Sequence, residues 1–384
     1  MKRTHVRFLW RDQAAHRQFR TAVSLHSHTM HSRESFGFIP RYCARVPILA
    51  WEMRRLARKY LERHRRVLDY TRGHWTPPLP GPEAHHLERR HIEETLDLTA
   101  LVSLSDHDNI EAAGHLHAAD GTRGAPVSIE WTVPVGPTFF HVGVHNLPPS
   151  EAHSIVAELA RYTRDPAPGL RRELLASLSR RPDILTVLNH PLWDQGEVGA
   201  GQHRALLCEF LQDCGGCIHA LELNGLRPWP ENQAVIDLAR ACDHLLVSGG
   251  DRHGCEPNSI LNLTRAASFS EFVSEAREGS SEILFLNHYR EPRRVRIFRT
   301  LCDVMGDYPE LPGREHWSDR MYCWLYSGAM VPLSQVWNGN APGVVRYFDR
   351  SIRLTRNRGI RHMLRLCLAG SEEEFAGPRD DAAL

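Results

Sequence analysis

No apolar run in the sequence approaches the ~18 residues of a membrane span, and the opening stretch MKRTHVRFLWRDQAAHRQFR has no uninterrupted apolar core of the kind a secretory signal carries. Both absences lead us to expect a cytoplasmic chain that does not work in a membrane. An excess of either charge is missing too: 47 Lys and Arg stand against 46 Asp and Glu, a formal net charge of +1. The whole molecule is therefore not steered towards nucleic acid. Paired cysteine motifs are scarce. The nine cysteines are odd in number and irregular in spacing, and Cys214 and Cys217 form one C-x-x-C without the second pair that a zinc ribbon requires. We expect reduced thiols. Repeats at solenoid periods are absent. What the chain has in abundance is histidine, 24 of its 384 residues, far beyond the needs of a core and suited to transition metals.

The histidines are not scattered evenly. In LHSHTMHSRE, His26 and His28 close the apolar run Thr21–Leu25, and residues at i and i+2 of a strand share a face. The same pattern returns at the ends of four further apolar runs, as Asp106-His107-Asp108, Glu130, Asn189-His190-Pro191 and Gly250-Asp251-Arg252-His253. Five strand ends carrying His, Asp or Glu describe one metal-binding mouth.

Periodicity places these motifs. After a first strand at 21–26, residues 41–72 show a helical apolar pattern whose other face is basic, with Arg54, Arg55, Arg58, Lys59, Arg63, Arg65 and Arg66. That face is either solvated or a patch that draws a polyanionic substrate. The Pro-rich stretch 75–82 is too rigid for a helix and suits a lid. A helix at 89–96, a strand at 99–105, a helix at 110–119 and strands at 127–131 and 139–145 follow. From 151 the order becomes regular, with helices at 151–162, 169–180, 202–213 and 231–241 and strands at 184–189, 218–223 and 244–248. Apolar strands alternating with helices predict a parallel sheet buried on both faces, and ligands after the strands predict a barrel with its site at the C-terminal mouth. Residues 322–337 and 344–368 read as helices, and the chain closes on the acidic tail SEEEFAGPRDDAAL.

In this order and spacing the motifs from Leu25 to His253 resemble those of the PHP (polymerase and histidinol phosphatase) family of metal-dependent phosphoesterases. The resemblance implies an α/β fold, a distorted (β/α)7 TIM-like barrel over 1–285, with the basic helical and Pro-rich insertion at about 41–95. An α-helical appendage with a short acidic tail would occupy 286–384. It also implies two or three divalent ions. His26, His28, Glu130 and Asp251 would hold one; Glu130, as a bridge, with His141 and His190 a second; His107, His253 and a residue of the first loop a third. At that last place the chain departs from the family pattern, offering Glu34 or, as the alternative, His31.

The chemistry stands without the name. Mixed imidazole and carboxylate ligands suit Mn, Zn or Fe, and a carboxylate shared by two ions sets them ~3.5–4 Å apart, the spacing of two-metal phosphoesterases. The expected reaction is hydrolysis of a phosphate ester by attack of a metal-bridging hydroxide, with Glu130 at its centre. Asp106 and Asp108 flank His107 and would fix its ring, and Arg33 and Arg252 sit within ligand motifs where a guanidinium could grip phosphoryl oxygens. Glu222 and Asn224, in LELN, either support the site or cap a strand end. The expected substrate is a small phosphate monoester or a nucleotide, with an oligonucleotide end less favoured. The rival readings are an amidohydrolase-type metal hydrolase and a non-catalytic PHP-like binding module.

Overall fold

The computed structural model describes residues 4–37, 44, 47–65, 67, 72–118, 124–167, 169–324, 328–337, 341 and 343–355. Arg66 of the basic face and the acidic tail lie outside these residues. In chain order the strands are β1 (Val6–Phe8), β2 (Thr21–Ser24), β3 (Glu34–Ser35), β4 (His74–Trp75), β5 (Thr99–Val102), β6 (Val127–Val135) and β7 (Thr138–Leu147). They continue as β8 (Leu185–Asn189), β9 (Ala220–Asn224), β10 (Leu245–Gly249), β11 (Ile260–Thr264), β12 (Glu282–Phe285), β13 (Met321–Trp324) and β14 (Met330–Pro332). No helix among the described residues is long and apolar enough to cross a membrane.

The chain divides into two compact units. The first takes 1–31 and 79–300 and contains two five-stranded sheets, ordered β1-β12-β11-β2-β5 and β10-β9-β8-β7-β6. Strands β8 and β9 are buried at every position, as the apolar run predicts for strands covered on both faces. Pairing is parallel at β2–β5 and β8–β9–β10. The parallel expectation for the regular run of strands after 151 holds at β8–β9–β10, while β6–β7 and β7–β8 are antiparallel. The reason is local. Only Gly136 and Pro137 separate β6 from β7, a two-residue loop that closes a hairpin and leaves no room for a crossover, and Gly136 takes φ +57°.

Two seams join the sheets. At one, Glu130 N donates to Asp106 O at 3.1 Å and Asp108 N to Glu130 O at 3.0 Å. At the other, the side-chain amide of Asn262 on β11 serves Ser248 on β10, accepting from its N–H at 2.8 Å and donating to its carbonyl at 3.1 Å. Around the sheets, helices at 81–96, 152–164, 170–179, 200–214, 229–241 and 269–278 bury apolar faces. Each fully buried Leu, Ile or Phe there contributes roughly 1.5–3 kcal/mol.

The second unit takes 32–78 and 301–362. Its sheet runs β14-β13-β4-β3, and Met305, Trp317 and Ile352 form its core. Residues 322–337, read above as a helix, instead form β13, β14 and the short helix Leu333–Trp337. The run MYCW is aromatic-rich and pairs with β4, and Gly328 sits at φ +84° before β14, so strand propensity prevailed. The helix expected over 41–72 is observed at Pro47–His64, with Arg54, Arg55, Arg58 and Lys59 exposed. The expected helix at 344–368 is described only as Gly343–Thr355.

Candidate metal centre

The site gathers at the seams of the first unit. β2 ends at Ser24, so His26 and His28 do not share a strand face as the spacing suggested. His26 instead takes φ +61°, in the left-handed region, and this turn brings His26 Nε2 to 3.1 Å from His28 Nε2. Left-handed backbone recurs at the site's other loops, at Asp108 (φ 52°), His190 (φ 29°) and Asp251 (φ 51°). Such conformations cost an L residue roughly 1–3 kcal/mol, and they cluster where side chains must be aimed.

Glu130, wholly buried on β6, is the centre. Its Oε1 lies 3.1 Å from His26 Nε2, 3.3 Å from His141 Nδ1 and 3.2 Å from His190 Nε2. Its Oε2 lies 3.3 Å from His28 Nε2 and 3.1 Å from His107 Nδ1. Asp251 Oδ1 completes one side, 3.2 Å from His28 Nε2 and 3.6 Å from His26 Nε2. His28 stacks against His107 and His253, with ring centroids 4.7 and 4.3 Å apart.

These donors fit metal ions. About 3.4 Å is the edge of a ligand tetrahedron drawn ~2.1 Å around a central ion. The donor atoms of His26, His28 and Glu130 lie within 4.8 Å of one another, as do those of His107, Glu130 and His141. Among the described residues Glu130 Oε2 and His141 Nδ1 form no hydrogen bond although both are buried, so a cation between the donors would satisfy them.

The charges of these buried groups depend strongly on one another. Burial resists a charge on Glu130, but His26, His141 and His107 outweigh it and hold the carboxyl well below the usual range. Burial likewise opposes the His26 proton, yet Glu130 and Glu222 raise its pKa well above that of a free imidazole. Burial depresses His141 to about 4, with Glu130 opposing, which leaves a neutral ring able to ligate.

Supporting groups fix the ligands. Glu222 Oε1 lies 2.5 Å from His26 Nδ1 and accepts its N–H, which leaves Nε2 for an ion, while its Oε2 accepts from His190 N at 2.8 Å. Asn224 Nδ2 donates to the same Oε2 at 3.0 Å, so both residues of LELN support the site. Asn189 Nδ2 donates to Glu130 Oε1 at 2.9 Å. Asp106 accepts from Thr29 N at 2.6 Å and Thr29 Oγ1 at 2.7 Å, holding the first ligand loop. Asp108 Oδ1 accepts from Thr132 N at 2.8 Å. Both aspartates thus hold the backbone of the ligand loops.

One expected residue has a different task. Arg252 is buried, with Nη1 donating to Gly254 O at 2.6 Å, Nη2 to His28 O at 3.1 Å and Nε 2.9 Å from Glu88 Oε1. A guanidinium so engaged does not reach out to phosphate. Arg33 and Glu34 belong to the second unit, where Arg33 is exposed and Glu34 Oε1 accepts from Ser32 Oγ at 2.5 Å. His31, the alternative to Glu34, pairs with Glu111 at 2.9 Å. Sequence reasoning missed Glu88 and Asn258, which lie outside every motif.

No family model matches the sequence, and no curated protein matches it. Several solved structures resemble it, among them the following three. PsfC from Pseudomonas syringae is 14% identical, with 74% of this chain and 97% of that chain covered and a TM-score of 0.41. A candidate metal-dependent phosphoesterase from Bifidobacterium adolescentis is 15% identical, covering 50% and 90%, with a TM-score of 0.31. An amidohydrolase from Chromobacterium violaceum, with bound sulfate and no metal, is 15% identical, covering 47% and 84%, with a TM-score of 0.33. Scores of this size leave the argument to the chain's own residues, and it is on the order and convergence of those residues that the chain resembles the PHP family.

Proposed function

We propose that this chain is a metal-dependent hydrolase of phosphate esters, built on a distorted seven-stranded barrel. The observation that carries the reading is the buried Glu130 carboxylate with five histidine nitrogens within 3.1–3.3 Å. The barrel reading rests on the seams, which link β5 to β6 and β10 to the neighbourhood of β2.

His26, His28, Glu130 and Asp251 would hold one ion, and Glu130, His107, His141 and His190 a second. When bound, divalent ions supply an acidified water and neutralise charge on the phosphoryl group. The chain's own residues do the rest. Glu222 keeps the Nδ1 proton of His26, so that ring presents an unprotonated Nε2. Asn189 orients Glu130. Phe139 and Trp193, half-buried with ring centroids 5.2 Å from His141 and His190, flank the ligands with apolar surface for the substrate's organic part. Glu34 remains a proposed ligand from the sequence reading, and a small phosphate monoester or nucleotide the proposed substrate class. We place the protein in the cytosol on its cysteine pattern.

The test is phosphate release by manganese-loaded protein across sugar phosphates, nucleotides and short oligonucleotides, with Asp251→Ala as control. Release that the variant abolishes supports the reading. Silence across the panel, together with turnover of amides or lactones, would transfer the site to amidohydrolase chemistry.

A further inference from the structure

We propose that Glu88, outside every motif, is a positioning residue that locks the first and last ligand loops of the metal centre together through Arg252. The inference rests on the metal-centre reading above. The helix Gly81–Leu96 turns one stripe inward, Gly81, Ala84, Glu88, Ile92 and Leu96, at steps of three and four residues. Four of the five are small or apolar; the other is a carboxylate with no exposure.

Both oxygens of that carboxylate are engaged. Oε2 accepts from Ser24 Oγ at 3.0 Å and from Asn258 N at 3.1 Å. Oε1 lies 2.9 Å from Arg252 Nε and accepts from Ser27 Oγ at 3.4 Å. Arg252 passes the constraint on, donating from Nη2 to His28 O at 3.1 Å. Asn258 does the same, its Nδ2 donating to Leu25 O and Ser27 Oγ, each at 3.1 Å. Backbone bonds run between the same two loops, from Gly250 N to Leu25 O at 3.0 Å, Asp251 N to His26 O at 2.7 Å and His28 N to Arg252 O at 2.9 Å.

The chemistry explains why a charge is kept where the stripe asks for a methyl group. A buried ion pair at best breaks even in stability against apolar residues of the same volume. What the pair supplies here is direction. Ser24 and Ser27 bracket His26, Ser27 precedes His28, and Arg252 stands between Asp251 and His253. His26 and Asp251 hold left-handed backbone, which carries a cost even for residues that tolerate it, so their loops need fastening from behind.

The test uses the full chain with Glu88→Gln, Arg252→Met and the double variant Glu88→Leu/Arg252→Met. The readouts are manganese affinity, the visible spectrum of the cobalt-loaded protein, circular dichroism and thermal midpoint. Glu88→Gln is expected to keep the secondary structure while manganese affinity drops about 10- to 100-fold, the usual effect of losing a group behind a ligand. The double variant, freed of buried charge, is expected to recover the thermal midpoint but neither the affinity nor the cobalt spectrum. Wild-type affinity and spectrum in Glu88→Gln would overturn the proposal, as would their recovery in the double variant. Should a single variant fail to fold, the double variant decides. Wild-type protein that takes up no manganese would overturn the metal-centre reading itself, which separates the two failures.

Discussion

At the scale of single residues, the site depends on groups that touch the ligands more than on the ligand motifs alone. Glu222 is the clearest. Its carboxylate fixes the His26 tautomer from one oxygen and holds the His190 backbone from the other. Space for it is reserved by Gly249, where a Cβ would fall 1.7 Å from Glu222 Oε1 and 3.0 Å from the His26 Cβ. Glu222→Ala is therefore expected to leave the fold intact and weaken manganese binding about 10- to 100-fold, read by titration with a metal indicator. Binding equal to wild type would show that His26 needs no partner. The ligands themselves were legible because their types are rare at strand ends and five such ends coincide. Their supporters were less so. Glu222 reads equally well as a strand cap, Arg252 looks like a phosphate grip until its three nitrogens are seen against protein acceptors, and Glu88 stands in a helix whose surface is already rich in Glu.

At the scale of elements, the residues that matter follow strands and leave the extended conformation at once. Asp108 shows how such a turn is held. It sits at φ 52°, and its Oδ1 accepts from Thr132 N, tying the loop after β5 to β6 beside Glu130. Burial raises its carboxyl pKa, with the Thr132 amide opposing, so the group accepts a hydrogen bond whether or not it carries charge. Asp108→Asn keeps an oxygen and tolerates left-handed backbone, and is expected to cost under about 1 kcal/mol. Asp108→Val loses both, and is expected to cost about 2–4 kcal/mol in urea unfolding. If Asp108→Asn instead abolishes turnover at unchanged stability, the residue acts in catalysis and the capping account is wrong. The strands and helices from 151 to 249 were legible within a few residues, because unbroken apolar strands alternate there with amphipathic helices. β11 was not, since Asn262 interrupts its apolar run in order to serve β10. The turn between β6 and β7 was legible in Gly136 and Pro137, and a loop of two residues makes the pair antiparallel.

At the scale of the whole molecule, the division into units was the least legible feature, because 32–78 and 301–362 are far apart in sequence and no periodicity links them. A second whole-molecule property follows from the histidine count. Several histidines that are not ligands are held neutral by burial: His85, His219 and His288 are brought down to about 4, and His145, further lowered by the neighbouring His26, to about 3. His219 shows the state directly, since its Nδ1 accepts from Thr186 N at 3.0 Å and so carries no proton. For each such ring the folded pKa lies below the unfolded value near 6.5. The stability linked to it is present above pH ~6.5 and is lost as pH falls towards the folded pKa, with each ring contributing about 1.4 kcal/mol per pH unit in that window. His26, raised by its two carboxylates, acts in the opposite sense, favouring the fold below pH ~6.5 and losing that contribution as pH rises. The depressed rings, His141 and His74 among them, outnumber the one raised and set the net sign. Urea unfolding of chelator-treated protein is therefore expected to give a midpoint that falls steadily from pH 7 to pH 5, and His219→Gln, whose amide oxygen can still accept from Thr186, is expected to flatten part of that slope. A midpoint that stays level or rises on acidification would mean that these rings are protonated in the fold, and the neutral acceptor role of His219 would go with them.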